Sequence, residues 1–228
     1  SVTLIFTDST RGWLDIHDST SVVEGAKFIT ATGGTITTVC TNFKVHTFTG
    51  PGTFTVTCGG NAAGSNSVDY LVIAGGGAGG TKNKSCNSGE AAGGGGAGGY
   101  RESKCSSVSG CWTASPLASS NSIPVTVQGY PITVGGGAAA ASPFVDTGLP
   151  STRNGSNSIF SSITSAGGGG GGNRSLPPAP DDLSIGADGG SGGGGAYGGE
   201  PQCGQPGGSG NTPPVSPPQG NAGGTRVG

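Results

Sequence analysis

The sequence predicts a mainly β chain with glycine-rich segments of irregular or polyproline II type and essentially no α-helix. Three observations lead there. Over the first 58 positions, short runs rich in Val, Ile, Thr and Phe alternate apolar with polar residues, as half-buried strands do. Glycine supplies 51 of 228 residues, against a usual share of about 7%. No stretch carries the apolar repeat of an amphipathic helix.

The elements follow in order. Val2-Thr3-Leu4-Ile5-Phe6 is an apolar run, Asp8 to Gly12 is a turn cluster, and Trp13-Leu14-Asp15-Ile16 begins a second strand. With Phe28-Ile29, this stretch reads as the end of a preceding β domain, residues 1–32, closed by Gly33-Gly34. Strands are expected at about 35–40, 43–49 and 53–58. The last two frame Gly50-Pro51-Gly52, a strong turn signal, and predict a hairpin with Phe48 facing Phe54.

Beyond Cys58 the character changes, for all but six of the 51 glycines lie there. A strand followed by a glycine block recurs three times: Tyr70 to Ile73 before Gly75, Ile132 to Val134 before Gly135, and Ile159 to Ile163 before Gly167. These units define a glycine-rich β domain, residues 33–174. A Pro/Gly-rich extended tail, residues 175–228, holds nine of the 15 prolines.

Composition narrows the function classes. Hydrophobic residues make up 31% and charged residues 10%, with a net charge of −2. Nucleic-acid binders need a basic footprint, and the tightest basic group, Lys82, Lys84, Arg101 and Lys104, is diluted by Glu90 and Glu102. No nucleic acid is therefore expected as a partner. No apolar run is long enough to predict a membrane span. The chain begins at Ser1 and contains no Met, which reads as a fragment or a processed product.

The six cysteines, an even count at irregular spacing without a CxxC pair, favour disulfides in an oxidising compartment. The best local pairs are Cys105 with Cys111 and Cys40 with Cys58, with buried reduced thiols as the alternative. A zinc site is not expected.

Two phosphate-binding patterns tempt. Asp69-Tyr70-Leu71-Val72-Ile73 runs into Gly75-x-Gly77-x-x-Gly80, the form of a dinucleotide fingerprint. That motif needs a helix to begin at once, to hold the pyrophosphate on its N-terminus, and Thr81-Lys82-Asn83-Lys84-Ser85 with more glycine behind it starts none. The order Thr81-Lys82 also reverses the end of a phosphate loop. His17 and His46 lack a nucleophile with a base and an orienting acid, and Asp181-Asp182 reads as a solvated pair. The chain is expected to bind no cofactor or metal and to be no enzyme. The glycine blocks make better sense as scaffold. Polyproline II has three residues per turn and no internal hydrogen bonds, so bare glycine helices can pack closely and satisfy one another's amides.

Phe48-Thr49-Gly50-Pro51-Gly52-Thr53-Phe54-Thr55-Val56, followed by Val68-Asp69-Tyr70-Leu71-Val72-Ile73-Ala74-Gly75-Gly76-Gly77, resembles the glycine-rich domain of phage tail fibre and virion appendage proteins. Gly93 to Tyr100-Arg101, Ile132-Thr133-Val134-Gly135 and Ser158-Ile159-Phe160 leading to Gly167 carry the likeness further, over about residues 35–200. The resemblance implies a structural role in host attachment. It also implies a virion-surface or extracellular location, a homotrimer with other virion proteins as partners, and contact with a host surface glycan or protein. Tyr100, Trp112, Tyr130 and Tyr197 lie among turn residues and are the candidate receptor contacts, against a reading as packing posts. The alternative is a secreted extracellular fibril or matrix protein, which the sequons at Asn83, Asn154 and Asn173 fit. An ice-binding scaffold is a third reading.

Overall fold

The computed structural model describes residues 4–15, 25–81, 92–104, 113–140, 149–174, 181–198 and 204–226. It is mainly β, with several small antiparallel sheets and no α-helix among the described residues. β1 (Leu4–Asp8) and β2 (Gly12–Asp15) form a hairpin, with Phe6 opposite Trp13. Its turn follows from Asp8, whose Oδ1 accepts the N–H groups of Thr10 and Arg11 at 2.8 and 2.6 Å, and from Gly12 at φ 71°. Local carboxylate-to-backbone bonds and a left-handed glycine are what such a turn requires.

β3 (Thr30–Thr32) comes next, then β4 (Thr35–Val39), which pairs with β5 (Phe43–Thr47) in a second hairpin. β6 (Gly52–Cys58) pairs on one side with β3 and on the other with a later strand. The expected hairpin of 43–49 with 53–58 is therefore corrected. Both edges of β6 are taken, which leaves β5 only β4 as a partner. The tight reversal sits instead at Cys40 and Thr41, both at positive φ. Gly50-Pro51-Gly52 is a corner that passes the chain from one sheet to the next. Phe48 still packs against the cluster that contains Phe54.

β7 (Ser67–Val68), β8 (Leu71–Ile73), β9 (Tyr100–Glu102), β10 (Ile123–Pro124), β11 (Gly129–Thr133), β12 (Ser158–Phe160) and β13 (Ile163–Ser165) complete the strands. The main sheet runs β13-β12-β11-β6-β3, while β8 pairs with β9 and β7 with β10. The third predicted strand resolves into two, since Ser161 at φ 53° turns β12 back as β13.

The core is small, as composition required. Phe54 and Val56 alternate inward from β6 and meet Val72, Ile123, Val125, Tyr130 and Phe160. The rings of Phe54 and Phe160 meet edge to face at 6.0 Å, a favoured aromatic geometry. His46 adds a second edge contact on Phe54 at 5.0 Å.

Candidate functional site: a bundle of glycine helices

Strands feed the glycine segments directly. β8 continues into 74–81, β11 into 134–140 and β13 into 166–174, while 92–99 leads into β9. Strand and polyproline II are both extended, with similar rises of about 3.3 and 3.1 Å per residue, so the chain passes between them without a turn. The sheet thereby sets where each glycine segment begins.

The segments bond to one another with a period of three. The N–H groups of Ala74, Gly77 and Gly80 donate to the carbonyls of Gly99, Gly96 and Gly93. Gly93, Gly96 and Gly99 donate in turn to Gly172, Gly169 and Ala166, and Gly168, Gly171 and Arg174 to Gly75, Ala78 and Thr81. Farther along, Gly192 and Gly195 donate to Asn221 and Gly224, and Gly223 and Arg226 to Gly208 and Gln205. Every third residue reaches the same neighbour, as three residues per turn demands. Consecutive residues therefore reach different neighbours: Gly171, Gly172 and Asn173 donate to Ala78, Gly194 and Leu183. Segment 166–174 is buried along its whole length and lies at the bundle's centre.

Glycine is needed here for its missing side chain. Among the described glycines φ is positive only at Gly12, Gly33 and Gly34, so the bundle glycines adopt backbone conformations open to other residues. What excludes other residues is space: a Cβ on Gly77 would collide with the Gly169 carbonyl, and one on Gly169 with that of Ala187. The period shows here as well, since a Cβ on Gly76 or Gly79, on the outer side of the same helix, would meet only an ordinary contact at 3.6 Å.

Side chains complete the bundle where a backbone neighbour is missing. Arg153 is buried and its Nη2 donates to the Gly171 carbonyl at 2.7 Å. Asn154 accepts from the N–H of Gly170, Asn157 from that of Gly167 and Asn173 from that of Thr81, at 2.8 to 2.9 Å. Sequence reading noted Asn154 and Asn173 only as sequons and missed Arg153 and Asn157; for Asn173 the available signal was its place directly after Gly167 to Gly172.

Described segments beyond 174 are also part of this bundle. Segments 186–198 and 204–226 bond to 166–174, to 92–99 and to each other. Within the stretch read as an extended tail, 175–228, amides spaced three apart give these described segments lateral partners like those of the earlier blocks.

The candidate contact residues separate. Tyr130 is a core residue, only 8% exposed, and its hydroxyl accepts the Thr126 N–H at 2.7 Å, which corrects its assignment to a receptor surface. Its alternation with Ile132 along β11 was the sign of an inward face. Tyr197 is half-buried beside the guanidinium groups of Arg226 and Arg174, at 5.0 and 5.9 Å from its ring centre, a cation–π arrangement. Tyr100 keeps an exposed ring, while its hydroxyl donates to Glu102 Oε2 at 2.9 Å. Trp112, Cys105 and Cys111 lie outside the described residues. Cys58 is an exposed free thiol, so the Cys40–Cys58 pair is not formed; Cys40 is engaged elsewhere.

Glu102 is buried between Tyr100 and Ser115. Burial raises its pKa, but hydrogen bonds from the Ser115 side chain and N–H and from Tyr100, with the charge of Lys104, outweigh it and hold the carboxyl below its ordinary value of 4.5. Burial, followed by the Glu102 carboxylate, raises the Tyr100 hydroxyl. A folded pKa below the unfolded one stabilises the fold fully above the unfolded value, and this stability is lost as pH falls through the folded one. Wild type should therefore lose melting temperature relative to Glu102→Gln as pH drops below about 4.5. Parallel melting curves for the two proteins across that window would refute the linkage.

The fingerprint at 75–80 lies in the non-helical segment 74–81, where a Cβ on Gly75, Gly77 or Gly80 would collide with the carbonyls of Gly136, Gly169 or Gly172.

Sheet and bundle together define a scaffold built mostly of backbone, with few side chains in its interior. The chain belongs to the glycine-rich domain family, whose model matches residues 47–228. Neither the curated proteins nor the solved structures contain a match to it.

Proposed function

We propose that the chain is a structural segment of a phage tail fibre or virion appendage, displayed on the virion surface for host attachment, and that it catalyses no reaction. The observation that carries this reading is the three-residue hydrogen-bond repeat, which turns side-chain-poor backbone into a fixed body. A chain that commits its interior amides to one another offers shape and display. The resemblance of residues 48–56 and 68–77 to tail fibre domains supplies the setting. Copies of the chain and other virion proteins are its partners there, and a host surface glycan or protein its target.

The secreted-matrix alternative leaned on sequons, and two of these are structurally committed. Asn173 is only 3% exposed and accepts from Thr81. Asn154 uses both ends of its amide, accepting from Gly170 and donating to Asp188. Asn83 lies outside the described residues.

Two measurements test the reading. Antibody raised against the purified chain should label tail appendages of phage particles from the genome that encodes it. The purified chain added in excess should also slow adsorption of those particles. Particles that carry no label would sink the proposal.

A further inference from the structure

We propose that copies of this chain associate through the face formed by Leu71, Ile73 and Tyr100. The proposal deepens the reading above and rests on its oligomeric part. Leu71 is 57% exposed and Ile73 54%, on either side of Val72, which is buried in the core. A continuous apolar run such as Leu71-Val72-Ile73 is characteristic of a strand covered on both faces. Within one copy only the Val72 face is covered. Contrast β6, whose outward positions are Thr53, Thr55 and Thr57, residues suited to water.

The exposed face is continuous. Ile73 lies opposite Tyr100, which is 36% exposed, and Leu71 lies opposite Glu102. Ser115 donates its N–H to Glu102 at 3.1 Å. At the other end the Tyr100 N–H donates to the Gln219 carbonyl at 2.9 Å, so the loop 211–219, with Pro213, Pro214 and Pro218 exposed, borders the face.

The occupant follows from charge and area. Glu102 is the acid on this face, and it is buried and hydrogen-bonded. Arg101 pairs with Val72 and so points to the opposite side. An identical face would meet no like charge at its centre, as association of copies around a symmetry axis requires. The exposed parts of Leu71, Ile73 and Tyr100 amount to roughly 300 Å² per copy, the size of a functional patch. Two copies hide about twice that, and the bordering loop brings the total toward the ~1,200 Å² at which stable interfaces begin.

The test is sedimentation velocity over a micromolar concentration series on the chain, on Leu71→Lys with Ile73→Lys, and on the milder Leu71→Thr with Ile73→Thr. The Thr pair keeps strand propensity and decides the matter if the Lys pair fails to fold, as judged by circular dichroism. Phe6→Ser with Trp13→Ser, on the exposed β1–β2 hairpin, is the comparison. The expected result is an oligomer for the wild type and for the hairpin variant, and at least tenfold weaker association for the folded β8 variants. A wild type that stays oligomeric when β8 is changed overturns this interface and leaves the oligomeric reading standing. So does dissociation by the hairpin variant alone. A wild type that is monomeric throughout removes the oligomeric reading and this interface with it.

Discussion

Gly169→Ala should lower the melting temperature by about 10 °C, whereas Gly94→Ala should move it by no more than about 2 °C in either direction. Gly169 sits in the buried central segment, where an added methyl would collide with the Ala187 carbonyl. Its own N–H donates to Ser191 and its carbonyl accepts from Gly96. Relieving the collision requires neighbouring helices to separate, which strains or breaks those two bonds. Overpacking costs about 1–3 kcal/mol and each lost hydrogen bond about 1 kcal/mol. In a chain of this size each kcal/mol shifts the midpoint by about 2–4 °C. Gly94 has nothing within 4 Å of its added carbon, so the same substitution meets open space and slightly restricts the unfolded chain. The pair separates two explanations of the glycine content. If glycine were present only for flexibility, the substitutions would act alike.

Much of this arrangement was legible, and what was missed has a physical cause. Strands β4, β5 and β6 were visible because β-branched residues crowd them, and in β6 because apolar and threonine positions alternate. The polyproline II geometry followed from glycine's bare backbone. Which segments pair did not follow, because partner choice in strands is written in side chains and glycine has none to read. Gly93 and Gly96 look alike in sequence, yet one donates to Gly172 and the other to Gly169, a register set by where β8, β9 and β13 release the chain. Beyond residue 174 the prolines suggested a tail, and for the same reason nothing in the sequence showed that the amides of 186–198 and 204–226 would reach the bundle. The Gly50-Pro51-Gly52 turn was recognised but its consequence was not, because the competition of β3 and β11 for the edges of β6 is a tertiary fact. Tyr130 was misplaced by attention to its turn neighbours over its two-residue spacing from Ile132.

The polar residues of the proline-rich loop carry the second large effect. Gln219 looks like a solvated residue after Pro217-Pro218, yet it is 2% exposed. Its Oε1 accepts the Ala166 N–H at 2.8 Å, its Nε2 donates to the Pro213 carbonyl at 3.0 Å, and its own N–H donates to Asn211 Oδ1 at 3.2 Å. Asn211 holds the loop's other end, accepting the Val215 N–H at 3.1 Å and donating its backbone N–H to Gly190 at 2.8 Å. Gln219→Ala strands the Ala166 N–H at the point where β13 passes into the bundle, and an unsatisfied buried donor costs about 1–3 kcal/mol. The expected loss is about 3 kcal/mol once the Pro213 bond is included. Asn211→Ala should cost about 2 kcal/mol by releasing the opposite end. Because either change frees the same loop, the double variant should fall short of the sum by about 1 kcal/mol, as coupled sites do. Urea unfolding of the four proteins measures that difference. Strictly additive losses would mean that Asn211 and Gln219 hold the bundle separately, and that the loop between them is not the single clasp its hydrogen bonds describe.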